Sequence, residues 1–233
     1  MKLLKNLFED ITDFICPRAC LVCGRHLRTD DDEVVCPECL QSYETTPFSK
    51  DDSNCIVESF MEEGIEIKSG CTFMKFDKKE IVQRILHNLK YFNHPELGIK
   101  FGRIAAIRLK EFWTDDFDFI LPVPMHSEKL KKRGYNQAEK IADGISEVLK
   151  IPVRTDILHK LVNTETQTHK NKAQRLENSM NVYSADRVEE ISGCHFLLVD
   201  DVFTTGATLT ACSRVLKNVM PECKISVFAL AKA

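Results

Sequence analysis

Two groups of residues in this chain have the types and spacing to do chemistry. The first is a pair of C-x2-C units, Cys20 with Cys23 in CLVC and Cys36 with Cys39 in CPEC. Each unit can form a tight knuckle that offers two thiolates to one ion, and two knuckles close a tetrahedral zinc site. Four protein ligands leave no open position for water, so the expected role is to fold a segment too short to build a core. The alternative is a chance grouping of reduced thiols, against which speaks the polar, turn-rich GRHLRTDDDEVV between the pairs. Cys16 and His26 could each replace a ligand, but Cys16 stands outside the symmetric pattern and His26 reads as a solvated loop residue.

The second group lies in FLLVDDVFTTGATL, residues 196–209. An apolar run ends on two adjacent carboxylates, Asp200 and Asp201, followed at once by a Thr/Gly turn. Backbone N–H groups and hydroxyls of TTGAT (Thr204, Thr205, Gly206, Ala207, Thr208) can wrap an anion at the start of the next helix, where the helix dipole also favours negative charge. The carboxylates would repel a phosphate but can accept hydrogen bonds from the two hydroxyls of a ribose attached to it. A phosphate nest joined to a diol clamp is a ribose-5-phosphate site. The competing nucleotide loop, Gly-x4-Gly-Lys-Ser/Thr, is absent.

The elements that must hold this site are legible in the periodicity. From residue 117 the chain alternates strand FDFILPVP, helix NQAEKIADGISEVLK, strand VRTDILHKLV, a long polar stretch, strand CHFLLVD, helix ATLTACSRVLKNV and strand KISVFALA. Near-continuous apolar strands between amphipathic helices indicate a parallel sheet covered on both faces. Ligands bind such sheets beyond the carboxyl ends of the strands, where the DD pair lies. Upstream, CTFMKFD reads as a short strand, and KKEIVQRILHNLKYF and ELGIKFGRIAAIRLKEFW read as helices.

The chain has 233 residues, 43% of them hydrophobic, enough for one substantial domain and a small one. Its net charge of −3 gives no bulk attraction to nucleic acid or anionic membrane, so any such contact must be local. No apolar window is long enough for a transmembrane segment and no export signal is evident, so a cytoplasmic location is expected, with the 10 cysteines reduced or bound to metal. The N-terminal MKLLKNLFEDITDFI has an apolar stripe that could lie on a membrane. Its polar face is not dominantly basic, which favours packing on the ribbon, the main domain or a second subunit, the last giving a homodimer. Residues 1–50 are expected to hold this helix and the zinc ribbon, and residues 51–233 the main domain, after a polar linker QSYETTPFSKDDSN.

The apolar run, acidic pair and Thr-Gly-x-Thr turn closely resemble the phosphoribosyl pyrophosphate (PRPP) motif of type I phosphoribosyltransferases. LPVPMHSEKLKKRGYNQAEKIA (121–142), with its RGYNQA segment, and the N-terminal four-cysteine ribbon narrow the resemblance to the ComF family of competence proteins, the ComFC/GntX-like phosphoribosyltransferases. The fold implied is α/β: a type I phosphoribosyltransferase-like parallel sheet with helices on both faces, plus the small ribbon. The resemblance also implies a hood over about 60–115 and a PRPP-binding core over about 117–233.

From the same resemblance, Asp200, Asp201, Val202 and Thr204 to Thr208 would bind PRPP, with Lys132 and Arg133 on the pyrophosphate. Lys129 and Lys131 belong to the same basic run, whose alternative is a solvated charge cluster. Residues 163–181 would be a lid closing over PRPP, in which Gln167, Arg175 and Asn178 match the family's loop and Lys170 departs from its usual apolar residue. Asp200, Asp201, Arg133, Lys170 and Arg175 are the expected catalytic residues, and Lys172 is a further candidate. Displacing pyrophosphate from the anomeric carbon passes through an oxocarbenium-like state, so the leaving group must be neutralised and water excluded. Mg²⁺ bound with PRPP would serve as the electrophilic clamp.

The acceptor is less legible. Enzymes of this type that use 6-oxopurines generally carry an acid four positions after the first carboxylate, where this chain has Thr204. Tyr91, Phe92 and His94 in LKYFNHPE could stack on a base or on single-stranded DNA, with core packing the alternative for Phe92 and a helix end for His94. His126 follows a sheet strand and could face the site. Family resemblance adds a role in competence, handling single-stranded DNA alongside a helicase and a recombination mediator. A non-catalytic PRPP sensor or DNA-uptake accessory protein is the alternative to a transferase.

Overall fold

The computed structural model describes residues 18–27, 34–46, 50–76, 80–113, 116–162, 182–191 and 193–233. Its centre is a parallel sheet of four strands: β1 (Ser69–Lys75), β2 (Phe119–Pro122), β5 (His195–Phe203) and β6 (Lys224–Lys232), in the order β1-β6-β5-β2. Leu197, Val199, Phe228 and Leu230 enter one apolar cluster with Phe101, Ile141 and Ile145, while Phe196, Leu198, Ile225 and Val227 enter another with Phe60, Leu209 and Leu216. Successive side chains on a strand point to opposite faces. The uninterrupted apolar runs therefore follow from helices on both sides: α4 (Pro95–Phe112) and α6 (Gln137–Leu149) cover one, α2 (Lys50–Glu62) and α7 (Ala207–Val219) the other.

Three features differ from the sequence reading. Residues 69–75 fall within the stretch expected to build a hood, yet run as the outer strand of the main sheet, because Cys71 and Phe73 are needed in its core. The expected strand 153–162 divides. Val153 makes one parallel bridge to Ile120, and β3 (Leu158–Lys160) turns away to pair antiparallel with β4 (Tyr183–Ala185). Charged Arg154 and Asp156, paired with each other at 2.7 Å, interrupt the apolar run there. The region read as a linker is also tied down: Thr45 pairs antiparallel with Met74, and the Tyr43 ring sits edge-on to Phe73 and Phe101.

The four-cysteine segment joins the same core. It contains the short helix α1 (Pro37–Gln41), and Val22, Leu27 and Val35 are buried in one cluster with Phe73 and Phe101. Asn88 of α3 (Glu80–Tyr91) donates to the Leu21 carbonyl. No helix among the described residues is long and apolar enough to cross a membrane.

Candidate functional site

The carboxyl end of β5 opens into a cleft of about 570 Å³. Asp200, Asp201, Val202, Thr204 and Thr208 line it from the strand and the following turn. Gly206 is the N-cap of α7 at φ 76°, in the left-handed region. A Cβ there would lie 3.0 Å from the Phe203 ring, so both backbone angle and space select glycine. Thr205 Oγ1 accepts from the Ala207 N–H at 3.4 Å, but Gly206 offers no side-chain cap and the first turn of α7 has no acid. The turn thus keeps the character of an anion site at the start of a 13-residue helix.

The acidic pair is not symmetric. Asp201 meets Lys90 Nζ at 2.9 Å, and its own N–H donates to Asp200 Oδ1 at 2.8 Å. Burial, followed by the charge of Asp201, raises Asp200 to about 7, although that N–H, Lys90 and Lys160 pull in the other direction. Lys160 also lines the cleft and donates to Tyr183 Oη at 3.0 Å. Tyr183 is held well above its ordinary range by burial and by the charges of Cys212 and Asp200. The antiparallel pair β3–β4 thereby brings two polar groups to the cleft from either side of residues 163–181.

The opposite wall comes from the segment after β2. The basic run folds as a short exposed helix, α5 (Ser127–Arg133), closed by Gly134 at φ 88°. Lys129 and Arg133, one turn apart, line the cleft; Lys131 and Lys132 line an adjoining hollow of about 520 Å³ shared with Lys90, Tyr91, Lys129 and Arg133. RGYNQA acts as a clamp. Tyr135 donates its hydroxyl to the Leu89 carbonyl, Asn136 Nδ2 donates to Val123 O at 2.9 Å, and Asn136 Oδ1 accepts from Ala138 N–H at 3.2 Å as the N-cap of α6. The segment thus fastens α3, the end of β2 and the start of α6 around one cavity.

A phosphoribosyl transferase domain model matches residues 87–233. The chain belongs to that family. Competence protein F of Haemophilus influenzae is 36% identical over 115 residues, covering 49% of this chain and 50% of that protein. Competence protein ComFC of Bacillus subtilis is 26% identical over 154 residues, covering 66% of this chain and 61% of the relative. The matches with these two curated relatives thus span half to about three-fifths of their lengths. Among solved structures, glutamine PRPP amidotransferase from B. subtilis is 19% identical with a TM-score of 0.42, covering 60% of this chain and 30% of that one. The ComF resemblance is borne out by the domain and by the two competence proteins.

Within this phosphoribosyl transferase domain, several expected site residues stand together: Asp200, Asp201, Val202, Thr204 and Thr208 on one wall, Arg133 on another. Thr205, Gly206 and Ala207 make the turn between Thr204 and Thr208, and Lys132 faces the adjoining hollow. Lys170, Arg175, Lys172, Gln167 and Asn178 lie outside the described residues, as does Cys16. His126 does not line the cleft; its Nδ1 accepts from the Glu128 N–H at 3.3 Å and caps α5. Phe92 is exposed rather than core, with its ring near that of His87, which also meets Tyr91. His94 is the N-cap residue of α4.

Lys90, Lys160, Tyr183 and Gln137 line the cleft without having been singled out in the sequence. Lys90 is one cation among several on an amphipathic helix, and nothing local distinguishes it. Gln137 had a signal, since it lies inside RGYNQA.

The sulfurs of Cys20, Cys23, Cys36 and Cys39 all lie within 4.8 Å of one another, and those of Cys23 and Cys36 are 3.7 Å apart. Tetrahedral zinc with bonds of about 2.3 Å would separate its sulfurs by about 3.8 Å, so the group fits. Burial raises the Cys20 thiol, but the N–H groups of Cys36, Cys23 and Val22 outweigh it and bring it down to about 7. Burial, then hydrogen bonding with Cys36 and Cys23, raises Cys39 instead. Four crowded sulfurs cannot all ionise without a cation among them. His26 is exposed and outside the cluster.

Proposed function

We propose that this protein binds PRPP and transfers its phosphoribosyl group, with release of pyrophosphate, in the setting of DNA uptake. One observation carries the reading: an acidic pair and an anion turn share a cleft with Lys129 and Arg133. The Thr204–Thr208 turn takes the 5-phosphate, and Asp200 and Asp201 accept from the ribose hydroxyls. Lys129, Arg133 and Lys90 stabilise the pyrophosphate as it leaves C1 with its bonding electron pair. The acceptor then bonds to C1, and closure of the cleft keeps water from that carbon. Asp200 and Asp201 have the oxygen-donor chemistry to hold Mg²⁺, which would add charge neutralisation at the site. Zinc on the four cysteines serves the fold, and the site of action is the cytoplasm.

The decisive experiment is titration of the zinc-loaded protein with PRPP, with and without Mg²⁺, while pyrophosphate release is followed. Saturable, Mg²⁺-dependent binding with slow release supports a transferase awaiting its acceptor. Binding without release across an acceptor screen would favour a PRPP sensor, and no binding would overturn the site.

A second reading concerns single-stranded DNA. The basic hollow borders exposed Tyr91, with Arg133 over its ring at 5.6 Å, and Phe92 is exposed nearby. Cations interleaved with exposed rings suit stacked bases and a phosphate chain. Tyr91→Ala with Phe92→Ala should weaken binding of an oligothymidylate roughly tenfold. Equal affinity for the wild type and this variant would dismiss the reading. A helicase or recombination mediator as partner rests on the family resemblance of the sequence alone.

A further inference from the structure

Gln137 is the first residue of α6, only 3% exposed, and lines the cleft. Its side-chain Nε2 is buried without a hydrogen-bond partner among the described residues. Buried amide groups are nearly always paired, because leaving one unpaired forfeits its hydration with nothing in return. The position is not slack: the two Asn136 hydrogen bonds, to Val123 O at 2.9 Å and from Ala138 N–H at 3.2 Å, fix the backbone beside it. Gln137 therefore contributes to the cavity wall and carries a buried donor with no partner among the described residues.

The surroundings indicate what would satisfy it. Gln137 opens a 13-residue helix, whose N-terminal end favours negative charge, and Lys129 and Arg133 line the same cleft. The carboxylates that would accept from sugar hydroxyls, Asp200 and Asp201, belong to a different element. We propose that Gln137 is a ligand-binding residue whose carboxamide N–H donates to an oxygen of the pyrophosphate group, completing an anion subsite with Lys129, Arg133 and the N-terminus of α6. The inference rests on the PRPP reading and names a donor that the reading itself does not require.

This arrangement trades stability for binding. In the free protein the unpaired amide is a cost, and in the complex it becomes a hydrogen bond to a charged group. Gln137→Met keeps similar volume and removes the polar atoms. Its melting temperature without ligand should equal or exceed that of the wild type, a result that a purely structural role for the amide would reverse. By calorimetry, its affinity for PRPP and for inorganic pyrophosphate should fall roughly ten- to a hundredfold, while that for ribose-5-phosphate stays unchanged. Gln137→Glu, which puts an acceptor in place of the donor, should lose at least as much.

Wild-type affinity for PRPP and pyrophosphate in Gln137→Met would overturn the role of Gln137 and leave the PRPP reading intact. Parallel loss of ribose-5-phosphate would move the donor to the sugar side and reject the pyrophosphate assignment. If Gln137→Met unfolds, Gln137→Glu supplies the same comparison, and failure of the wild type to bind PRPP or pyrophosphate overturns both readings.

Discussion

Lys90 Nζ lies 2.9 Å from the Asp201 carboxylate and ties a helix preceding β2 to the end of the central strand. The two side chains are 28% and 15% exposed, between a surface pair, worth little, and a buried one, whose disruption is costly. Lys90→Met leaves two adjacent carboxylates without this cation. It should lower stability at pH 8 by about 1–2 kcal/mol and weaken pyrophosphate binding about tenfold. Urea denaturation and calorimetric titration check both, and an unchanged variant would remove Lys90 from the site.

Asp200 should make stability depend on pH in an unusual direction for a carboxylate. Its folded pKa is raised from an ordinary 3.8 to about 7, so between these values the folded state holds a proton that the unfolded state has lost. The stabilisation is complete below 3.8, declines as pH rises, and is gone above about 7. Asp200→Asn should match the wild type near pH 4 and exceed it at pH 8, by up to about 4 kcal/mol. Together with Asp201→Asn it should abolish most PRPP affinity, so greater stability would accompany lost binding. A variant less stable than the wild type at pH 8 would contradict the burial of a costly charge.

Much of this site was legible because its signals are local. The DDVFTTGAT segment carries strand end, acidic pair and helix start within nine consecutive residues, and a sheet covered on both faces leaves uninterrupted apolar runs. Lys90, Lys160 and Tyr183 escaped because they reach the cleft through tertiary placement: α3 by Tyr135 against its last turn, and β3 by pairing with β4 across residues 163–181. The strand expected over 153–162 failed for a related reason. β-Branched and apolar residues mark a strand without saying which sheet it joins.

The four cysteines should matter beyond their own segment. Val22, Leu27 and Val35 share a buried cluster with Phe73 of β1 and Phe101 of α4, so loosening the ribbon exposes part of the main core. Cys20→Ser with Cys36→Ser should take zinc from one ion per chain to none in elemental analysis, and lower the melting temperature of the whole domain in one transition. Retention of zinc would send the ligand search to Cys16 and His26. Loss of zinc with an unchanged melting temperature would mean that the ribbon and sheet are energetically separate.

The turn after β5 allows the phosphate assignment to be separated from the sugar assignment. Gly206 stands at φ 76° with the Phe203 ring 3.0 Å from where a Cβ would sit, so Gly206→Ala should cost about 1–2 kcal/mol of stability. It should also displace the N–H groups proposed to meet the 5-phosphate. Thr205→Val is milder, removing only the hydroxyl that accepts from Ala207 N–H at 3.4 Å. Because a 5-phosphate is common to both ligands, either change should weaken ribose-5-phosphate and PRPP by the same factor, whereas inorganic pyrophosphate should bind as before. A loss confined to PRPP would place the turn against the leaving group and exchange the roles of the two anion subsites.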